Sequence, residues 1–489
     1  MEDQNIQIEE EGSPLGGDEI NSNLPGLEKN KLNELLKNKK VLIGLGAGFV
    51  IILIIIIIII TASSGGSGGG NSEDENKKEE DFQPKESDIY GELECIYDVE
   101  TTGNATQILG TDFVNEFIII IQADGKYINY TNNYKFSKTG EQKVIFYFVN
   151  SKEISLKSMF KDVIQLKNIK FTQKKEIKIQ SLESLFENCV FLEKVDIKEF
   201  DTREVTSLSK LFYNCKSLTS FDISNWNLEN VTNISYFFAG SSINEFSPDN
   251  FSIKSLVDMS HFFDGCISLS SVNFPLMETS NLKDISYMFA NCESLNYIDL
   301  SPFDMSEVEN MQGLFKSCIY IDEIILGNLD TGKTTDMSYM FYDCALLKTL
   351  NLNNFNTENV RNMSHMFDYC SSLSQIYLDK FKTNKVIDMS YMFSSCRLLN
   401  LADVSNFDTE NVLYFNNMFE KCSSLRSIDI KKFKTNNAEN MAGFFYGCSS
   451  ITEIDLAGFD TSKVIDMNYM FADCTSLKSL NLDFNTNNV

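Results

Sequence analysis

Along the C-terminal two-thirds of the chain, apolar positions recur with one fixed phase. In the unit that begins at Met337, Met337, Met340, Phe341 and Cys344 stand at i, i+3, i+4 and i+7. That spacing predicts one face of a two-turn helix. Asp336 precedes it and reads as the helix cap; Asn233, Asp258, Asp284, Asn310, Asn362, Asp388, Asn440 and Asp466 hold the same slot in other units. Leu347, Leu350 and Leu352 follow, the last two alternating as in a strand with one buried face. Phe355 and Val360 then turn the chain back through a loop containing Thr357.

The cysteines show the period most plainly. Eleven of the twelve stand at Cys189, Cys215, Cys266, Cys292, Cys318, Cys344, Cys370, Cys396, Cys422, Cys448 and Cys474, with Cys95 alone outside the series, and from Cys266 onward every interval is 26 residues. Ser241 fills the one missing slot, and Val163 carries the register back to Leu156. This gives about 13 units between Leu156 and Val489. Neither a two-turn helix nor a three-residue strand is stable alone, so the units must stack. The expected fold class is α/β: a leucine-rich-repeat solenoid with a short helix and a short parallel strand per unit. Helices are wider than strands, which places the strands on a concave side.

The pattern changes upstream. Glu92–Val99, Phe117–Gln122, Lys126–Tyr130 and Lys143–Asn150 read as strands, with a hairpin signal at Ala123-Asp124-Gly125. Residues 89–152 are therefore expected to form a small β-sandwich-like module that caps the repeats at 153–489. Residues 62–88 are a Gly/Ser and acidic tether, and residues 1–40 a disordered tail. Between them, Val41 to Thr61 is 21 residues without a charge. At about 1.5 Å per residue this crosses a ~30 Å hydrocarbon layer, so one transmembrane helix is expected over 41–61. Lys29, Lys31, Lys37, Lys39 and Lys40 precede it and acidic residues follow, which places the N-terminus in the cytosol and the repeats outside the cell or in a lumen. The expected location is the plasma membrane or another secretory-pathway membrane, with the span as an uncleaved signal-anchor. Gly44 and Gly48 form a GxxxG through which the span could self-associate.

Charge and composition narrow the function. The 489 residues carry 69 Asp and Glu against 42 Lys and Arg, a formal charge of −27. Such a surface does not suit a nucleic-acid partner. Only His261 and His365 supply imidazole. The chain shows no nucleophile–base pair, no phosphate-binding loop and no CxxC set, so no enzyme activity, cofactor or metal is expected.

The units Met363-Ser-His-Met-Phe-x-x-Cys-Ser-Ser-Leu-x-x-Ile-x-Leu-x-x-Phe-x-Thr-x-x-Val386 and Met389-Ser-Tyr-Met-Phe-x-x-Cys resemble those of the BspA-like leucine-rich-repeat surface proteins. The resemblance implies a cell-surface repeat protein with a role in adhesion or recognition, and it carries no catalytic residues across. The chain departs from bacterial members of that family in its expected membrane anchor and in lacking a lipoprotein cysteine, which points to a protist type.

Four groups of residues remain as candidates. The cysteine ladder reads as one column of small core side chains, since Val163 and Ser241 stand in for cysteine. His261 and His365 occupy a slot held by Tyr339, Tyr391 and Tyr469 and read as surface variants of tyrosine. The residue between the two buried strand positions runs Asp196, Asp222, Ser247, Asn273, Asp299, Ile325, Asn351, Tyr377, Asp403, Asp429, Asp455, Asn481. This stripe is either a solvated face or a binding strip, with Asp299, Asp403, Asp429 and Asp455 as the named candidates. Sequons stand at Asn104, Asn129, Asn230, Asn233, Asn250 and Asn362 and are glycosylation candidates on an external chain. The expected function is thus a single-pass surface protein that binds a protein or glycan through its concave strand face; the alternative is a structural coat without a specific ligand. The last unit ends at Val489 without a polar capping unit, so its apolar edge is expected to associate with another copy or a further unit.

Overall fold

The computed structural model describes residues 83–327, 330–482 and 484. Over them the 26-residue unit is one coil of a β-solenoid. Among the described residues the one helical element is the 3-10 turn Glu86–Asp88. The expected repeat helices are corrected to runs of tight turns. In the coil from Met337, the N–H groups of Met340 and Cys344 donate to the carbonyls of Met337 and Phe341, three residues back. Alternate N–H groups leave the coil altogether. Met337, Tyr339, Phe341 and Asp343 donate to Asn362, Ser364, Met366 and Asp368 of the next coil, at 3.0, 3.0, 2.9 and 2.8 Å. Tyr339 and Asp343 have φ of 58° and 55°, the positive value that a type II turn needs at its third position. The same two slots are positive in every coil, from Ser158 and Asp162 to Tyr469 and Asp473.

Stacking distance explains the choice. Phe160, Phe186, Phe212 and their successors to Phe471 form one column of rings whose neighbouring centroids lie 5.4–6.4 Å apart. A helix is about 10 Å across and cannot repeat at that rise. A flat turn run can, and it places Met340, Phe341 and Cys344 inward just as a helix face would; all three are buried. With no helices to widen one side, the reason for a concave strand side also falls away.

Asparagine and aspartate make the corners. Asp336 Oδ1 accepts from Ser338 N (2.8 Å) and Ser338 Oγ (2.6 Å), an Asx turn in place of the expected helix cap. Asn351 and Asn356 repeat the device with Asn353 N and Glu358 N, at 3.1 and 3.2 Å. The first corner also bridges coil to coil, in the series Asp284–Asn310–Asp336–Asn362–Asp388. A threonine rung lies beyond the third: Thr331 Oγ1 donates to Asn356 O (2.9 Å) and accepts from Asn356 N (2.8 Å). Short parallel strands complete the coil, as where Tyr297–Asp299 pairs with Glu323–Ile325 and Gln375–Tyr377 with Leu401–Asp403.

The expected β-sandwich-like module is corrected as well. Its strands join those of the first coils in one six-stranded sheet, in the order Lys194–Asp196, Leu166–Gln173, Ile89–Val99, Gly140–Val149, Ile118–Ala123, Lys126–Ile128. Ile89–Val99 runs antiparallel to Leu166–Gln173, with Leu93 opposite Phe171 and Cys95 opposite Ile169. The strand column of the solenoid is thereby closed at this end by an ordinary sheet pairing. Gly110 closes the turn run beside it. Its N–H donates to Met159 O at 2.8 Å, and a Cβ at this position would come within 2.3 Å of Ser158 O. Core packing is continuous from Leu93 to Met470.

The membrane expectation does not carry into this fold. Among the described residues no helix is long and apolar enough to cross a membrane. Residues 41–61, on which the one-span membrane partner and the membrane location rested, lie outside the described residues, as do Gly44 and Gly48.

Candidate functional site

Two lateral faces of the solenoid carry polar chemistry. On the strand face an inward residue is flanked by two outward ones, as Gln375, Ile376 and Tyr377 show; the inward residue is buried at Ile376 and half-buried at Ile324, Leu350 and Ile428. The expected stripe lies on this face. Asp299 and Asp403 are half-buried, Asp429 and Asp455 exposed. Their carboxylates are already engaged in corners. Asp299 Oδ1 accepts from Ser301 N (2.8 Å) and from the Ser301 hydroxyl. Asp403 Oδ1 accepts from Ser405 N and Oγ at 3.3 and 2.7 Å, and Asp429 Oδ1 from Lys431 N at 3.3 Å. Asp455 Oδ1 takes Ala457 N (3.3 Å) and Asn481 Nδ2 (2.8 Å). Each keeps one oxygen for solvent or a ligand.

Sequence reading missed the second outward column, which includes Tyr297, Gln375, Leu401 and Glu453. Its signal was the residue before the buried strand position. Between the two columns lie shallow hollows. One of about 540 Å³ is lined by Ser427, Asp429, Lys431, Glu453, Asp455 and Asn481. Another, of about 410 Å³, includes Asn273, Asn296, Tyr297 and Asp299. Tyr377 is 54% exposed and Leu401 42%, so the face alternates rings and alkyl groups with hydroxyls, amides and carboxylates.

The opposite, turn-run face carries a ladder of rings. Tyr236, His261 and Tyr287 stack at 4.2 and 4.8 Å, and Tyr339, His365 and Tyr391 at 4.4 and 4.5 Å. Gly313 interrupts the ladder, and Lys316 Nζ stands in the gap, 5.8, 5.3 and 5.7 Å from the ring centres of Tyr287, Tyr339 and Tyr342. Both histidines sit within the stacks and are fixed by carboxylates: His261 Nδ1 to Asp264 Oδ2 and His365 Nδ1 to Asp368 Oδ2, each at 2.8 Å. They are rungs of a ring stack rather than isolated surface groups.

The cysteine column runs through the core. Cys189 to Cys448 are buried and Cys474 half-buried, all as free thiols. Burial pushes the Cys266 and Cys318 thiols up to about 12. Among the described residues no three His, Cys, Asp or Glu side chains converge as a metal set. Of the sequons, Asn104, Asn129, Asn230 and Asn250 are exposed, while Asn233 and Asn362 are half-buried corners. The amide nitrogen of Asn362 donates to Asp336 Oδ2 at 3.4 Å, and that of Asn230 to Arg203 O at 2.8 Å.

The family described as "Mycoplasma protein of unknown function, DUF285" matches residues 154–274, 242–350, 283–402, 336–454 and 395–489 in overlapping copies. No curated protein matches. Among solved structures, a leucine-rich cell surface protein of Faecalibacterium prausnitzii is similar at 15% identity and a TM-score of 0.28, over 70% of this chain and 85% of its own. A leucine-rich-repeat protein of Leptospira interrogans is similar at 11% identity and a TM-score of 0.18, over 64% of this chain and 85% of its own.

Proposed function

Because the chain belongs to the DUF285 family, whose description assigns it no function, we propose from the repeat surface itself that the solenoid is a recognition module that binds a protein or glycan partner along its strand face. Within that family it is of the BspA-like kind, for which adhesion is the implied role. The observation that carries this reading is the pair of outward columns on the strand face. Exposed Tyr297, Ile325, Tyr377 and Leu401 alternate there with Asp299, Asp403 and serines around shallow hollows. Apolar anchors within a polar surround are what an interface needs, and a purely solvated face would not expose them. The named carboxylates keep a free oxygen while the corner bonds hold them in place, so they are preorganised acceptors.

The test is binding of the full chain to immobilised protein and glycan panels. Tyr377→Ser combined with Leu401→Ser should weaken capture at least tenfold while leaving the thermal midpoint unchanged. Self-association as the one interaction seen, unaltered by those substitutions, would favour the coat protein instead.

A further inference from the structure

A cavity lies away from the strand face, where the loop of Asp112 to Glu116 stands over the turn runs of the first coils. Its volume is about 650 Å³, within the range of small-molecule sites. It exists because of two serines. Ser158 and Ser184 hold the slot that Tyr236, Tyr287, Tyr339 and Tyr391 fill further along, so the groove that rings occupy elsewhere is open here.

Three nearly buried polar side chains on its floor have unspent hydrogen-bonding capacity. Ser158 and Ser184 are each 7% exposed, and among the described residues neither hydroxyl has a partner. The Glu187 side chain is 11% exposed, and its carboxylate has only a long ion pair, 3.9 Å to Lys161. Their oxygens reach the open space of the cleft instead of being sealed in the core, so whatever fills the cleft supplies their bonds. Of the wall charges, Lys161 pairs with Asp112 and Lys157 with Glu183, each at 3.0 Å, Lys210 Nζ lies 5.8 Å from the ring centre of Tyr236, and Glu116 has no ion pair among the described residues. The lining holds four carboxylates (Asp112, Glu116, Glu183, Glu187) against three lysines (Lys157, Lys161, Lys210), so neither an anion nor a cation meets a strong excess of opposite charge. Val114 is the one apolar side chain of the lining, so an apolar ligand gains little there. A neutral ligand rich in hydroxyls satisfies the serines and the Glu187 carboxylate without disturbing either pair.

We propose that this cleft is a binding site for a short neutral saccharide, with Glu187 accepting from its hydroxyls and Ser158 and Ser184 completing the floor. It is separate from the strand face and does not depend on it.

The test uses the full chain and millimolar maltose, cellobiose, lactose and N,N′-diacetylchitobiose, followed by saturation-transfer NMR. At least one should bind. Ser184→Tyr restores the ring found at this slot in later coils, where tyrosine takes φ of 54–58°, so the variant should fold with an unchanged thermal midpoint. It should lower affinity at least tenfold. Glu187→Gln, which keeps the shape and removes the charged acceptor, should lower it about tenfold. Tyr377→Ser on the strand face should leave saccharide binding intact. Failure of all four sugars to bind, binding that survives Ser184→Tyr, or preference for free glutamate or lysine over every sugar would each overturn the assignment.

Discussion

Cys370 Sγ donates to the carbonyl oxygen of Phe341, 3.0 Å away and one coil earlier. The bond recurs down the column, from Cys189 to Phe160 and from Cys474 to Phe445. Each thiol therefore ties its coil to the one before it as well as filling the core.

Alkylation should follow burial along this column. Burial raises all of these thiols, which leaves almost no thiolate at pH 8 in the fully buried ones. Cys474, half-buried, should react first, and the rest only on unfolding. Mass spectrometry of the native chain after iodoacetamide checks this. Cys370→Ser should cost about 1–3 kcal/mol in denaturant unfolding, because the hydroxyl is buried with weak pairing.

The threonine rungs should be more demanding. Thr357 Oγ1 donates to Lys382 O at 3.0 Å and accepts from Lys382 N at 2.8 Å. Thr357→Val keeps the shape and leaves that N–H without its acceptor, at an expected cost of about 1–3 kcal/mol. Thr357→Ser should recover most of it. Urea unfolding of the two variants side by side separates hydrogen bonding from packing.

Acid should loosen the corners. The Ser306 and Ser462 hydroxyls and N–H groups hold the Asp304 and Asp460 carboxyls below their usual range. A carboxyl whose folded pKa is depressed adds stability that is fully present above its unfolded value of about 3.9. That stability is lost as pH falls through the lower folded value. The thermal midpoint should thus be level from pH 7 to about 5 and fall below about 4, less steeply in Asp304→Ala. A midpoint that rises on acidification would contradict this account of the corners.

Gly313 marks the break in the ring ladder. A Cβ there would stand 2.5 Å from Tyr287 Cε1, because that ring leans into the gap. Gly313→Ala should force the ring away from Lys316 and cost about 1–3 kcal/mol as overpacking. Tyrosine fluorescence and thermal unfolding together report it.

The period, the buried set and the stacking were legible in the sequence because they depend only on which residues are apolar and how far apart they stand. The local backbone was not. Met337, Met340, Phe341 and Cys344 satisfy a helix face and a pair of consecutive turns equally well, so periodicity could not choose. The deciding signals were weaker ones. Gly313, Gly443 and Gly447 occur within the run, at slots where φ is positive, and glycine is a poor resident of a helix interior. The recurring Asp or Asn two residues before Ser338, Ser364 and Ser390 looks like a helix cap, and an Asx turn makes the same bond without a helix following. On the candidate site, the outward direction of Asp403 could be read from strand alternation. Its bond to Ser405 could not, nor could the cleft at Ser158 and Ser184, which depends on a loop from elsewhere in the chain.

The bonds that alternate N–H groups make to the next coil have a consequence for length. From the coil of Leu208 to that of Met441, each coil offers its successor the same four donors, whatever side chains it displays. A block of 26 residues is therefore interchangeable: one can be excised or duplicated, and the flanking coils meet with their pairing intact. Even the 25-residue coil between Asn233 and Asp258 keeps its bridge on both sides. Reach is then a matter of copy number, and the outward column of Tyr297, Gln375, Leu401 and Glu453, which makes no corner bond, varies without touching the scaffold that presents it.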